Sequence, residues 1–237
     1  MTKLASIDII LPCYNPIPEW EITIVSRYNE IKANYRNSIL GLIIVNDGST
    51  KTINEESITY LKKEIPELQY ISYTENKGKG YATRIGVKAS NADYQVYTDI
   101  DFPYENKSIY TIIDALLNAN NDVVIGIRDE SYYSNIPKNR RILSKMVRLF
   151  NKRLLALPTD DTQCGLKGMN KTGREVLLTT RINRYLFDIE FLKLAKRRKN
   201  ITFKIQPVKL REGLIMTEMK MSLLANELVT YLGLFFR

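Results

Sequence analysis

The feature that most constrains this 237-residue chain is a regular alternation of strand-like and helix-like segments. Short apolar runs that end in turn-forming residues alternate with segments in which apolar residues recur at helical spacing. The predicted strands are 7–11, 40–45, 68–74, 94–98 and 122–127, and the predicted helices are about 19–35, 53–64, 79–89, 107–118 and 188–198. Ser49 or Thr50 is the predicted cap of the helix at 53–64. Such alternation favours parallel strands joined by right-handed crossovers. The sequence therefore predicts an α/β fold with a mostly parallel sheet flanked by helices.

Polar residues stand where these predicted strands end, which is where ligands bind in parallel sheets. Asp47, Asn76, Asp99 and Arg128 all occupy such positions. Asp99 and Asp101 are spaced i and i+2, so their side chains share one face while the backbone stays extended. Two adjacent carboxylates repel each other unless a cation lies between them, and hard oxygen ligands suit Mg²⁺ or Mn²⁺. The alternative interpretation of this pair is a solvated acidic turn.

The composition excludes several classes of site. The chain has no histidine, which removes histidine-ligated zinc, Ser-His-Asp triads and histidine general bases. Its two cysteines form no disulfide framework, which favours a reducing compartment. The net charge of +9 favours a polyanionic partner: nucleic acid, anionic lipid or a phosphorylated substrate. Chemistry must therefore rest on carboxylates, basic side chains, hydroxyls and a metal.

The chain shows no boundary that divides it. It has no linker rich in Pro, Gly or Ser, and its length suits one large α/β domain or two small ones. The apolar part of residues 1–10 is too short for a signal peptide, and no stretch approaches the roughly 20 apolar residues that span a bilayer. We therefore expect one domain without a membrane span.

The segment 75–80, ENKGKG, predicts an anion site. Two glycines near a helix N-terminus expose backbone N–H groups, and two lysines add positive charge. The segment is neither a P-loop nor a GxGxxG fingerprint. The alternative is an ordinary strand-to-helix turn with surface lysines.

Six motifs in order resemble the family 2 glycosyltransferases with the GT-A fold. They are LPCYN at 11–15, VNDGS at 45–49, NKGKG at 76–80, DID at 99–101, DTQCGLK at 161–167 and FDIE at 187–190. The last two narrow the resemblance, which covers about residues 7–213, to the dolichyl- or polyprenyl-phosphate hexosyltransferases of the glucosyl and mannosyl branches. One departure is Pro16, where many relatives have an acid; Glu19 is the nearest substitute.

The resemblance implies a Rossmann-like GT-A domain over residues 1–213 and assigns roles on its donor side. It implies that the nucleotide-sugar site is lined by Pro12, Tyr14, Asn15, Asp47, Lys79 and Asp99. Asp99 would contact the sugar nucleotide or a metal-bound water, and Asp101 would ligate Mg²⁺ or Mn²⁺ directly. The metal would neutralise the charge that develops on the leaving diphosphate.

The resemblance also assigns an acceptor side. It implies that the acceptor phosphate is bound by Arg128, Arg140 or Arg141, and Arg211. Guanidinium groups bind phosphate in a bidentate manner and keep their charge. Asp161 and Gln163 would lie under the transferred sugar, and Asp188 and Glu190 would position the reacting groups.

Two segments have the pattern of membrane-surface helices. Residues 137–157 place apolar residues on one helical side among basic ones, and residues 214–237 form a second, C-terminal amphipathic segment. A basic amphipathic helix is the type that lies on an anionic membrane. The alternative is a helix packed on its own domain with a solvated basic face, and the C-terminal segment is either a core helix or an interfacial anchor.

These inferences predict a metal-dependent, inverting hexosyltransferase. It would move a hexose from a nucleoside diphosphate sugar, of the UDP-glucose or GDP-mannose type, to a polyprenyl phosphate. The protein would be cytoplasmic and peripheral on the inner membrane face, attached through either amphipathic segment or a membrane partner protein, with no nucleic acid partner. One alternative is transfer to a hydroxyl of a saccharide or polar lipid, with Asp188 or Glu190 as the base. Another is a non-catalytic basic module that binds membranes or nucleic acid.

Overall fold

The computed structural model describes residues 4–119, 121–129, 157–159 and 161–213. Its strands are β1 (Ser6–Cys13), β2 (Ile39–Asp47), β3 (Leu68–Tyr73), β4 (Tyr94–Tyr97), β5 (Val123–Arg128), β6 (Lys167–Met169) and β7 (Phe203–Val208). Its helices are α1 (Trp20–Asn34), α2 (Glu55–Glu64), α3 (Lys79–Ala89), α4 (Asn106–Asn118), α5 (Lys171–Leu177) and α6 (Phe187–Arg197). The predicted strands and helices are present, and their ends agree with the prediction to within two residues. The short β6 and α5, and the bounds of β7, were not predicted.

The strands form one sheet in the order β3-β2-β1-β4-β6-β5-β7. Every pairing is parallel except those of β6, which runs antiparallel between β4 and β5. β1 lies between β2 and β4, so the connections that leave β1 and β4 diverge at the carboxyl edge. A crevice at such a point is the usual ligand site of an open α/β sheet. The predicted mostly parallel sheet is therefore confirmed.

The central strands are buried on both faces, as their continuous apolar runs predict. Successive residues of β1 point to opposite sides: Ile9 joins a core with α1 and α4, and Ile10 joins a core with α3 and α6. Trp20 and Phe187 anchor these two cores from the helices, and both side chains are almost fully buried. The two cores hold the carboxyl ends of the strands rigidly in place.

Some details of the sequence prediction were wrong or fall outside the described residues. A Ser or Thr at 49–50 was expected to cap α2, but the cap is Asn54, whose Oδ1 accepts the Ser57 N–H at 2.8 Å. The basic segment 137–157 (except Leu157) and the C-terminal segment 214–237 lie outside the described residues. No helix in the described part of the chain is long and apolar enough to span a membrane.

Candidate active site

The backbone turns at the carboxyl end of β4, where the sequence predicted an extended segment. β4 ends at Tyr97, and the Phe102 N–H donates to the Asp99 carbonyl at 3.0 Å. Phe102 has φ +44°, a left-handed conformation that non-glycine residues seldom adopt. The premise that Asp99 and Asp101 share a strand face was therefore wrong. The turn, and not strand spacing, places both carboxylates at this edge.

Lys79 provides a cation beside these carboxylates. It is the first residue of α3, and its Nζ forms an ion pair with Asp99 Oδ1. Burial alone would lower the pKa of Lys79, but the charges of Asp99 and Asp188 outweigh burial, and that pKa is raised. Lys79 is thus positively charged throughout the neutral range.

Arg211 lies beside Asp101. Burial and the charge of Asp99 raise the pKa of Asp101, while Arg211 and Lys79 partly oppose this. The Arg211 backbone N–H donates to the Pro103 carbonyl at 2.9 Å, and its Nη2 lies 3.4 Å from the Asp101 carbonyl. Its Nε–H is buried without a hydrogen-bond partner among the described residues. An unpaired buried donor is costly, so an anion bound here would gain this hydrogen bond.

The donor set at this edge fits a divalent metal that is shared with a substrate. Among the described residues, no group of three or more His, Cys, Asp or Glu side chains could hold a metal ion by itself. Mg²⁺, however, is commonly bound by one or two carboxylates together with substrate phosphates. The raised pKa of Asp101 also reflects a carboxylate whose charge is not fully compensated by the protein. Asp99 and Asp101 would therefore hold Mg²⁺ or Mn²⁺ together with a diphosphate.

Asp47 organises the segment predicted to bind an anion. Its buried carboxylate accepts hydrogen bonds from Tyr73 Oη, Asn76 Nδ2 and the backbone N–H groups of Lys77 and Gly78, at 2.8–2.9 Å. A carboxylate has about four acceptor positions, and all four are used here. The predicted direct contact of Asp47 with the nucleotide stays a prediction. In this structure Asp47 holds the loop that begins α3 and so places Lys79.

The predicted nucleotide residues of the loop after β1 lie at the same edge. Asn15 ties this loop to the loop after β2: its N–H donates to Ser49 Oγ, and its Oδ1 accepts from two backbone N–H groups, all at 2.9–3.0 Å. Pro12 is buried, and Tyr14 is 50% exposed. An exposed ring beside two tied loops is available to a ligand.

Arg128 is committed to Asp161, another residue predicted for this site. Arg128 donates to the Asp161 carboxylate through Nε at 3.0 Å, Nη2 at 2.5 Å and the backbone N–H at 2.8 Å. Asp161 is only 3% exposed, while Gln163 is exposed. The binding of acceptor phosphate by Arg128 stays a prediction, and the structure adds a strong competing partner. Arg140 and Arg141 lie outside the described residues.

Asp188 and Glu190 are buried and bonded internally. Asp188 Oδ1 accepts from Lys167 Nζ and Tyr97 Oη, both at 2.6 Å. Glu190 Oε2 accepts the backbone N–H groups of Arg181 and Ile182, at 2.8 and 2.7 Å. Each carboxylate therefore holds structure beside the edge, and both the positioning role and the alternative of a general base stay predictions.

Sequence reasoning missed two residues that the structure brings to the site. Lys167 is fully buried and pairs with Asp188, and Tyr104 Oη accepts the Gly165 N–H at 2.9 Å. The available signal for Lys167 was that it is the one charged residue in the run 162–169. If such a run is buried, its lysine must be paired, because a lysine is almost never fully buried alone.

Comparison with known protein families gives a match that includes the residues at this edge of the sheet. Residues 8–178 match the model described as Glycosyl transferase family 2. The chain belongs to glycosyl transferase family 2. The matched region contains both carboxylates after β4, Lys79, and the Arg128–Asp161 and Cys164–Lys167 segments.

The similar proteins of known name are mostly dolichyl-phosphate glycosyltransferases. A dolichyl-phosphate β-glucosyltransferase of Dictyostelium discoideum is 27% identical over 203 residues, which are 81% of this chain and 62% of that protein. A UDP-N-acetylglucosamine–dolichyl-phosphate N-acetylglucosaminyltransferase of Methanococcus voltae is 27% identical over 216 residues, 81% of each chain. The chain spans less than two thirds of the length of the β-glucosyltransferases it matches.

Solved structures confirm the GT-A fold. Glucosyl-3-phosphoglycerate synthase of Mycobacterium tuberculosis, in complex with Mn²⁺, UDP and phosphoglyceric acid, has a TM-score of 0.63 at 17% identity, over 93% of this chain and 74% of that one. Mannosyl-3-phosphoglycerate synthase of Rubrobacter xylanophilus has a TM-score of 0.66 at 13% identity, over 94% and 70%. At these identities the likeness establishes the fold alone.

Proposed function

We propose that this protein transfers a hexose from a nucleoside diphosphate sugar to a polyprenyl phosphate, with inversion at the anomeric carbon. The observation that carries the proposal is the cluster at the carboxyl edge: Asp99 pairs with Lys79, and Asp101 lies beside Arg211. Membership of glycosyl transferase family 2 supports glycosyl transfer. The dolichyl-phosphate transferases among its relatives support a lipid phosphate as acceptor.

The donor side of the cleft would bind the sugar nucleotide. Asp99 and Asp101 would hold Mg²⁺ or Mn²⁺, which supplies charge neutralisation of the leaving diphosphate. Lys79 keeps its positive charge at neutral pH and lies at the N-terminus of α3, where anions are favoured. The exposed ring of Tyr14 would contact the nucleobase of the donor.

The acceptor side needs an anion site rather than a base. An acceptor phosphate oxygen forms a bond to the anomeric carbon while the bond from that carbon to the donor diphosphate breaks, and the diphosphate leaves with the electron pair. A phosphate monoester is anionic near neutral pH, so no proton has to be removed first. Arg211, with its unpaired Nε–H beside Asp101, would align this phosphate. The internally bonded Asp188 and Glu190 agree with a reaction that uses no base.

The test is a transfer assay with the full chain. UDP-glucose, UDP-N-acetylglucosamine and GDP-mannose are each supplied with a polyprenyl phosphate or the matching polyprenol, in Mn²⁺ or in EDTA. We expect one donor to glycosylate the phosphate in Mn²⁺ and none to glycosylate the polyprenol. Transfer to the polyprenol at an equal rate would overturn the acceptor assignment, and the absence of transfer from every donor would overturn the function.

Arg211→Ala separates the acceptor site from the donor site. A charge-assisted hydrogen bond contributes on the order of 1.5–3 kcal/mol, so transfer should fall roughly tenfold or more while nucleotide affinity is unchanged. Lys209→Ala, an exposed cation two residues away, is the matched control. Equal transfer by both variants would remove Arg211 from the acceptor site.

Membrane attachment is the remaining part of the proposal, and it rests on sequence alone. The basic segment 137–157 would lie on the anionic face of a membrane, on which charge attraction is screened beyond about 8 Å at physiological salt. Binding to anionic vesicles should weaken with added salt and after neutralisation of Arg141, Lys145 and Arg148. Equal binding to neutral and anionic vesicles would contradict this route of attachment.

A further inference from the structure

One strand of the central sheet places a lysine where a charge is costly. β6 is three residues long, fully buried and the one antiparallel member of the described sheet. It sets Lys167 directly opposite Tyr97, two residues before Asp99. The Lys167 side chain is 0% exposed, and burying an ammonium group is expensive unless it is paired and hydrogen-bonded.

Lys167 has two strong acceptors. Its Nζ donates to Asp188 Oδ1 and to the Cys164 carbonyl, both at 2.6 Å. The Tyr97 hydroxyl also donates to Asp188 Oδ1 at 2.6 Å, which fixes the orientation of this carboxylate. Both of these hydrogen bonds stay within the protein, and the buried Lys167 side chain does not open onto the cleft.

The Cys164–Gly165 peptide links this buried cluster to the cleft. Lys167 binds the carbonyl of this peptide, and Tyr104 Oη accepts its N–H from Gly165 at 2.9 Å. One peptide plane is therefore held at both of its polar ends, from two different elements. Tyr104 is itself 3% exposed, and its hydroxyl also contacts Cys164 Sγ at 3.3 Å.

Gly165 forms the wall behind the metal-binding carboxylate. A Cβ at this position would overlap Asp99 Oδ2 and would lie 3.4 Å from Lys79 Nζ. The backbone thus packs against both members of the Lys79–Asp99 pair. Any rotation of the Cys164–Gly165 peptide would change the space available to Asp99.

We propose that Lys167 and Tyr104 are positioning residues that lock the Cys164–Gly165 peptide and thereby hold Asp99 in the orientation that binds the donor. The inference rests on the proposed function, because it assigns Asp99 to the metal and the sugar nucleotide. A buried ion pair is often no more stabilising than apolar residues of similar volume. The Lys167–Asp188 pair therefore serves to orient the Gly165 backbone against Asp99 rather than to stabilise the fold.

The first test removes one hydrogen bond and keeps the packing. Tyr104→Phe deletes the acceptor of the Gly165 N–H. Tyr35→Phe is the matched control, because Tyr35 is also buried and its hydroxyl donates to Asp114 at 2.8 Å, away from the cleft. Calorimetry then measures the affinity for UDP in Mn²⁺ and in EDTA, and thermal unfolding measures stability.

We expect Tyr104→Phe to lose on the order of tenfold in Mn²⁺-dependent UDP affinity, the scale of one hydrogen bond to a fixed group. Tyr35→Phe should lose a similar amount of thermal stability and no affinity. Equal affinity in the two variants would overturn the proposal. If the wild-type protein shows no Mn²⁺-dependent affinity for UDP, the same titrations are made with GDP. If it binds neither nucleotide, the proposed function fails first, and the two failures are distinguishable.

The second test removes the buried charges together. Lys167→Met with Asp188→Asn leaves no unpaired charge in the core, so this double variant is expected to fold. Loss of the Lys167 bond to Cys164 should reduce Mn²⁺-dependent UDP affinity about as much as Tyr104→Phe does. With a donor and acceptor, kcat should fall while KM for the acceptor is unchanged. A folded double variant with wild-type UDP affinity would remove Lys167 from this role.

Discussion

Two lysine–carboxylate pairs of this protein differ in how far water reaches them. In the Lys79–Asp99 pair the side chains are 17% and 38% exposed, whereas in the Lys167–Asp188 pair they are 0% and 4% exposed. Both pairs lie beside the end of β4, yet only the first opens onto the cleft. A bound ligand can replace one partner of an exposed ion pair. The two partners of a sealed pair stay together and hold the residues around them in place.

The same division runs through the other charges. Asp101 and Arg211 belong with the open pair, because the pKa of Asp101 is raised by burial and by Asp99, and Arg211 keeps an unpaired donor among the described residues. Asp161 is buried like Asp188, at 3% exposed, and although Arg128 is 17% exposed, three hydrogen bonds hold it to Asp161. Charges at the open edge should thus affect chemistry, and sealed charges should affect stability and geometry.

The largest effect is expected at the open edge. Asp101→Ala should abolish metal-dependent nucleotide binding and reduce transfer by on the order of a thousandfold, because a metal contributes several kcal/mol of charge stabilisation. The fold should be intact, since the side chain lies at the cleft surface. Transfer assays and thermal unfolding measure both quantities, with exposed Glu56→Ala as the control. Full activity of Asp101→Ala at limiting metal would remove this residue from the metal site.

A large loss of stability is expected at the Arg128–Asp161 pair. Arg128→Met leaves the Asp161 carboxylate buried without this partner, and breaking a buried pair costs about 3–5 kcal/mol in the free energy of unfolding. Urea unfolding measures this loss. Reduced transfer by Arg128 variants must therefore be compared at equal folded fraction before it is attributed to the acceptor phosphate.

The pH dependence of this loss has a definite sign. Burial alone would raise the pKa of Asp161, but the hydrogen bonds and charge of Arg128 outweigh burial and lower it. This stabilisation is present above the unfolded pKa of about 3.9 and is lost as pH falls through the folded pKa. Without the Arg128 guanidinium, burial is opposed only by the backbone N–H of residue 128 and by Lys167, so the pKa of Asp161 should rise. The difference in unfolding free energy between wild type and Arg128→Met should thus be larger at pH 7 than at pH 4; a constant difference would contradict this account.

A smaller effect is expected at Glu190. It distinguishes a role of Glu190 in holding a loop from a role in proton transfer. Glu190→Gln keeps an oxygen that accepts the Arg181 and Ile182 N–H groups, so transfer should change less than threefold. Glu190→Ala leaves both N–H groups unpaired and should cost roughly 1–3 kcal/mol of stability. Activity and urea unfolding of both variants provide the measurement. An inactive but stable Glu190→Gln would favour the hydroxyl acceptor and a catalytic base.

The smallest effect is expected at an ion pair on the protein surface. Lys32 and Glu67 form a surface pair with side chains 45% and 39% exposed, far from the cleft. Exposed pairs contribute about 0–1 kcal/mol because water and salt screen them. Lys32→Met should therefore change the unfolding free energy by less than about 1 kcal/mol and leave transfer unchanged. A larger change would show that exposure alone does not separate the two kinds of pair.

The sequence predicted the fold well because its signals are local. The apolar run 40–45 predicts a strand covered on both faces, and β2 is indeed buried along that run. The helical spacing that predicts α3 at 79–89 is correct to the residue. The predicted cap of α2 was wrong because Asn54 lies next to the helix, while the predicted serine and threonine lie four or five residues earlier. The three-residue β6 carries too little periodicity to be recognised.

By itself, the sequence determined the order of strands and helices and the polar residues at the strand ends, because spacings of 2 and 3.6 residues appear along the chain. Tertiary structure alone decided the partners of those residues. Asp188 meets Tyr97 across 91 positions, and Gly165 meets Tyr104 across 61. Such pairs depend on β6 entering the sheet antiparallel beside β4, which follows from the packing of both cores and from no local pattern.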